Sequence, residues 1–161
     1  MYIFATVNSA VGASKNHLTL HNGTNGGLVL WVYRVEVVPH QTAAVVGLNA
    51  TYYLQRITTA GSGGTAAVVR KLDTMAPNLP ATITSINAPA TAPTITANSE
   101  LAGRQVSTEE TLGQSSQPVF QADQHTPPIP LRKGQGLVVQ QSSLAGAGAV
   151  SIFIYFRTSK R

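Results

Sequence analysis

Four histidines and six carboxylates are the groups of this 161-residue chain best suited to acid–base chemistry near neutral pH, and it has no cysteine. His17 and His21 stand four residues apart, the spacing of a helical metal pair. In a strand, four residues cover about 13 Å, too far for one ion. Asp123 and His125 form the one tempting acid–histidine pair, and the bland reading is a loop acid beside a loop histidine before Pro127-Pro128. The other acids, Glu36, Asp73, Glu100, Glu109 and Glu110, show no spacing that would hold two carboxylates across a glycosidic bond. Gly61-Ser62-Gly63-Gly64 is not the Gly-x-Ser-x-Gly of a nucleophile elbow and reads as a flexible loop between strands. Gly134-Gln135-Gly136 lacks the third glycine of a dinucleotide fingerprint and leads into a strand, so it reads as a tight turn. Without thiols there is neither a disulfide framework nor a thiolate metal site. No enzyme, cofactor or metal is expected.

The elements that would position these residues are strands. In GLVLWVYRVEVVPHQ (27–41) the β-branched and aromatic residues alternate with period 2 until Pro39. Strict alternation sets Val29, Trp31, Tyr33, Val35 and Val37 on one apolar face. The other holds Leu28, Leu30, Val32, Arg34, Glu36 and Val38, with Arg34 and Glu36 as neighbours. Further strands are expected in YIFATV, HLTLH (17–21), 44–59 with Gly47 as a bulge, 66–72, 136–143 and 149–158. The last is apolar on both faces and is expected inside a sheet, covered on both sides. NGTNGG and LAGAGA supply turns. No segment has the 3.6-residue periodicity of an amphipathic helix. Strands with Gly, Pro and Asn punctuation predict one all-β antiparallel sandwich or barrel over 1–161. Of Trp31, Tyr33, Tyr52, Tyr53, Phe153 and Tyr155, most are expected in the core. An exposed aromatic strip would instead support carbohydrate or single-strand binding.

Residues 74–130 are different, holding eight of the nine prolines in a Thr- and Ala-rich background. Two readings stand: an extended arm or long loop that makes intersubunit contacts, which is favoured, and ordinary irregular strands at ATITSI and RQVSTEETL. Charged residues make up 11% of the chain, well below the ~25% of an average domain. Such a neutral surface suits packing against other proteins. The net charge of +5 is spread along the sequence apart from a small cluster at Arg157–Arg161. The N-terminus does not read as a signal peptide, and no apolar run reaches the ~18 residues that span a bilayer. No membrane partner is expected, and a nucleic-acid partner is disfavoured.

RKLDTMAPNLP, PLRKGQGLVV and the closing VSIFIYFR occur in an order that resembles small structural proteins of tailed bacteriophages. These decorate or cement the head shell or occupy other virion positions. The resemblance covers most of residues 17–157. It implies a jelly-roll-like sandwich, a homotrimer, a place on the capsid surface after synthesis in the host cytoplasm, and a major capsid protein or other virion protein as partner. It carries no catalytic residue. It makes Arg70, Lys71, Asp73, Pro77 and Pro80 candidate intersubunit or arm contacts, with an Arg–Asp pair pinning the base of the arm. A carbohydrate-binding sandwich of a phage fibre or host-recognition device is the alternative.

Overall fold

A computed structural model describes residues 1–23, 27–40, 49–107, 117–142 and 148–160. Their β-branched and aromatic runs pair into two antiparallel sheets packed face to face, with no helix among the described residues. One sheet has the order β10-β3-β13-β1-β6, with β11 also on β3. Its strands are β1 (Tyr2–Ala10), β3 (Leu28–His40), β6 (Val69–Lys71), β10 (Gln117–Gln121), β11 (Ile129–Leu131) and β13 (Ala149–Lys160). The other has the order β5-β8-β2-β12-β4-β9, with β7 also on β2. It is built from β2 (Asn16–Asn22), β4 (Asn49–Thr59), β5 (Thr65–Ala66), β7 (Ile83–Thr84), β8 (Ile86–Asn87), β9 (Thr94–Ser107) and β12 (Gln135–Gln141). The expected bulge at Gly47, both glycine-rich hairpin turns in their central residues, and Glu109 and Glu110 lie outside the described residues.

The core lies between the sheets. Tyr2 and Phe4 stack on Phe156 with ring centroids 5.6 Å away in each case. Leu18, Leu20, Tyr52, Leu54, Leu137 and Val139 face them from the second sheet, all fully buried. Gly136 is required where β12 crosses β2. A Cβ there would lie 2.5 Å from the Leu20 carbonyl oxygen and 2.8 Å from the Ile57 side chain.

The long strand β3 does not keep the strict alternation read from its sequence. Opposite β13 its register slips, so that Tyr155 pairs with Arg34 but Phe156 pairs with Val32. Tyr33 is the extra residue, and its carbonyl accepts the Ala122 N–H at 2.7 Å. Such a bulge reverses which parity points inward. Leu30 and Val32 enter the core before it, and Val35 and Val37 after it. Arg34 and Glu36 are thereby turned to the outside of the sandwich.

Two further expectations are corrected. Residues 66–72 are not one strand: β5 belongs to one sheet and β6 to the other, so the chain crosses the open side of the sandwich. Residues 74–130 do not form a free arm over their described length. β7 and β8 pair with β2, β9 pairs along β4, and β10 and β11 pair with β3. The strands offered as the second reading at ATITSI and RQVSTEETL match β7, β8 and the end of β9, while β10 and β11 lie hidden among the prolines. Pro118 and Pro130 sit within β10 and β11, strands paired only to β3, a position that tolerates a missing N–H.

Replacing Phe156 by Ala removes the ring on which Tyr2 and Phe4 stack. The variant is expected to lose about 3–5 kcal/mol in urea unfolding at neutral pH. A loss below about 1 kcal/mol would show that this stack is not central to the core.

Candidate binding surfaces

The polar residues singled out by type take structural roles. His17 lies where β2 slips register against β12, between the Val139↔Leu18 and Gln140↔Asn16 pairs. It is fully buried against the Tyr52 ring at 5.7 Å. Gln141 Oε1 accepts the Gly12 N–H at 2.9 Å and lies 3.2 Å from His17 Nε2, so Nε2 carries the proton. Nδ1 then accepts from the Ser9 hydroxyl at 2.9 Å. Burial is the main reason the imidazole pKa falls from 6.5 to about 4, and the nearby Lys15 charge lowers it further, against the raising effect of Gln141. His21 faces the other way, its Nε2 3.1 Å from the Thr58 carbonyl oxygen. The two histidines therefore share no ligand.

Asp123 Oδ1 accepts the N–H groups of His125 and Thr126, both at 2.7 Å. These bonds, His125 first, hold the exposed carboxyl below its usual pKa range. The pair forms a loop cap, with a carboxylate kept ionised and the imidazole 3.0 Å from the Gln124 amide. Ser62 is held by reciprocal backbone bonds to Thr91, so its glycine-rich segment is a bridged turn. Among the described residues no group of three or more metal-ligating side chains gathers.

The candidate contact residues share one exposed edge. Arg70 and Lys71 lie on β6, paired to Ile3 and Tyr2. Asp73 follows in a turn, and its carboxylate accepts the Met75 N–H at 2.9 Å. The expected Arg–Asp pin is thus replaced by an Asp cap on the chain's own backbone. Pro77 offers its carbonyl to the Tyr2 hydroxyl at 2.8 Å, which ties the segment to the core, and Pro80 is exposed beyond it. The same edge carries three of the five exposed large apolar side chains among the described residues: Val68, Leu72 and Met75, at 72%, 60% and 88% exposure.

The second surface is the outer face of the six-stranded sheet. Of the six aromatics considered, only Tyr52 is fully in the core. Trp31, Tyr33, Tyr53, Phe153 and Tyr155 are half-buried, which corrects the expectation that most would be core. The buried aromatics are instead Tyr2, Phe4, Tyr52 and Phe156. β13 lies inside its sheet as expected, but its outward Phe153 and Tyr155 are not covered. Arg34 Nη2 meets Glu36 Oε1 at 2.9 Å, as their neighbouring positions suggest. Arg34 also lies 6.0 Å from the Tyr155 ring centre, and Arg157 lies 5.3 Å from that of Tyr33. The Tyr155 hydroxyl reaches Glu36 at 3.4 Å; burial first, then the Glu36 charge, raises its pKa. The exposed aromatic strip that sequence reasoning held as the alternative to core is thus present; what it missed is the Tyr33 bulge, which sends Trp31 outward and Val35 inward and leaves no compositional mark.

No model of a known protein family, no curated protein and no solved structure matches the chain.

The buried His17 sets a pH window. Its folded pKa lies below the unfolded value, so between about pH 6.5 and 4 the unfolded chain binds more protons. This contribution to stability is complete above 6.5 and is lost as acid approaches 4. The wild type is expected to lose on the order of 3 kcal/mol more than a His17→Gln variant between pH 7 and pH 4. Urea unfolding of both proteins across that range measures it, and parallel pH profiles would refute the assignment.

Proposed function

We propose that the chain is a non-catalytic structural subunit of a bacteriophage virion, a decoration or cement protein that bridges neighbouring capsid subunits as a homotrimer on the capsid surface. The observation that carries this reading is the apolar edge formed by Val68, Leu72 and Met75 beside Arg70 and Lys71. Clustered exposed apolar side chains mark surfaces that another protein covers. The strand order adds support. β1, β3, β10 and β13 share one sheet, while β2, β4, β9 and β12 share the other. We read this alternation of strands between the two sheets as jelly-roll-like, an architecture hosted by viral capsid domains and lectins alike. In a trimer, three weak and equivalent contacts act together, so each edge needs only modest affinity for the shell.

Light scattering on the purified protein is expected to give the mass of a trimer, and co-sedimentation is expected with expanded phage shells. Leu72→Glu combined with Met75→Glu is expected to abolish the co-sedimentation while leaving the circular dichroism unchanged. A wild type that stays monomeric at high concentration and ignores expanded shells overturns the reading.

The second reading, a carbohydrate-binding sandwich of a phage fibre or host-recognition device, is favoured by the aromatic outer face of the six-stranded sheet. A glycan array is expected to return hits under this reading, and an array with none counts against it.

A further inference from the structure

The register of the six-stranded sheet sets charged and aromatic side chains into ladders on its outer face. Arg70 pairs with Ile3, Ile3 with Tyr155, and Tyr155 with Arg34, so all four share one side across β6, β1, β13 and β3. Tyr2 and Phe4, flanking Ile3, are in the core, which fixes that side as the outer one. In the next ladder Arg157 pairs with Trp31. Three arginines thus flank a half-exposed aromatic surface. The one carboxylate among these ladders and the adjoining row, Glu36, is 6% exposed and already engaged by Arg34.

We infer that this face is a binding platform for an acidic polysaccharide, one whose sugars carry carboxylate or sulfate groups. The inference rests on the carbohydrate-binding reading and names its ligand class. Charge complementarity selects an anion, because Glu36 is taken up by Arg34 and leaves Arg70 and Arg157 without a carboxylate among these ladders. Guanidinium forks match carboxylate and sulfate oxygens in paired hydrogen bonds. The Arg70 and Arg34 positions are separated by three strand spacings, about 14 Å, so an extended chain with repeated charges spans the face better than a single small anion. Nucleic acid is the less suitable polyanion. Single strands bind through stacking on successive free ring faces, whereas guanidinium groups already lie over Tyr33 and Tyr155, which leaves the anionic groups of a sugar chain, not ring stacking, as the main contact. The guanidinium–ring contacts hold Arg34 and Arg157 in place, lowering the entropy lost when an anion binds.

The sole tryptophan, Trp31, lies on this face and reports directly on its occupation. Its fluorescence is to be titrated at about 0.15 M salt with four probes: polygalacturonate, heparin, neutral dextran and an oligothymidylate. The acidic polysaccharides are expected to shift the emission, while dextran and the oligonucleotide leave it unchanged. Arg70→Gln combined with Arg157→Gln changes two exposed side chains and is expected to weaken acidic-polysaccharide binding about tenfold or more, with unchanged circular dichroism. Unaltered affinity in this double variant overturns the inference, as does an oligothymidylate that binds as tightly as either acidic polysaccharide. A response to dextran equal to that of the acidic chains also overturns it but leaves the carbohydrate-binding reading standing. Silence from all three polysaccharides, with an empty glycan array, removes both.

Discussion

The pairing of β3 with β13, and its single slip at Tyr33, is the constraint on which the rest of the sandwich depends. From Leu30, unbroken alternation would carry Arg34 and Glu36 into the core. Placing that ion pair between the sheets would cost several kcal/mol in lost hydration. The slip instead brings Val35 and Val37 inward against the second sheet and sends the charged pair outward. It also divides the partners on the far side of β3. β10 pairs with residues 34–37 and β11 with residues 30–32, separated by the loop that Asp123 caps. One extra residue therefore sets the core, the outer face and the break between two strands.

The same geometry separates the two surfaces. The apolar edge follows β6 and the turn after it, where the chain passes between sheets. The arginine–aromatic face spreads over β3 and β13 in the middle of the sheet. Arg70 touches both, being part of β6 and of the first outer ladder. A subunit held by its edge would keep most of the flat face open to a second partner. Burial of His17 serves neither surface; it closes a register slip in the opposite sheet with a satisfied Ser9–His17–Gln141 network.

Much of the architecture was legible because a strand's period of two is a local signal. HLTLH, the 27–41 run, GLVVQQ and AVSIFIYF all became strands near their expected limits. Other features depend on contacts distant in sequence. Nothing in VYRV distinguishes a bulge from straight alternation, because the slip is defined only against Tyr155 and Phe156. β10 and β11, each short and carrying a proline, and the first half of β9 showed no strand signal of their own, because composition weighs each residue alone while a strand needs only a partner with free backbone groups. In the 68–80 segment, Arg70 and Asp73 stand out by charge. Its exposed Val68, Leu72 and Met75 could not be separated from core residues until the chain was seen to cross the side of the sandwich.

The free border of the seven-stranded sheet has a consequence for growth. β9 ends that sheet, and its register against β4 slips three times, leaving regular pairing only over Ala102–Ser107; Asn98 adopts a positive φ of 53° within the irregular part. A neighbour adding along this margin would find no long uninterrupted row of amides and carbonyls to copy. Lateral growth of the sheet into ribbons or fibrils along this margin is thereby discouraged.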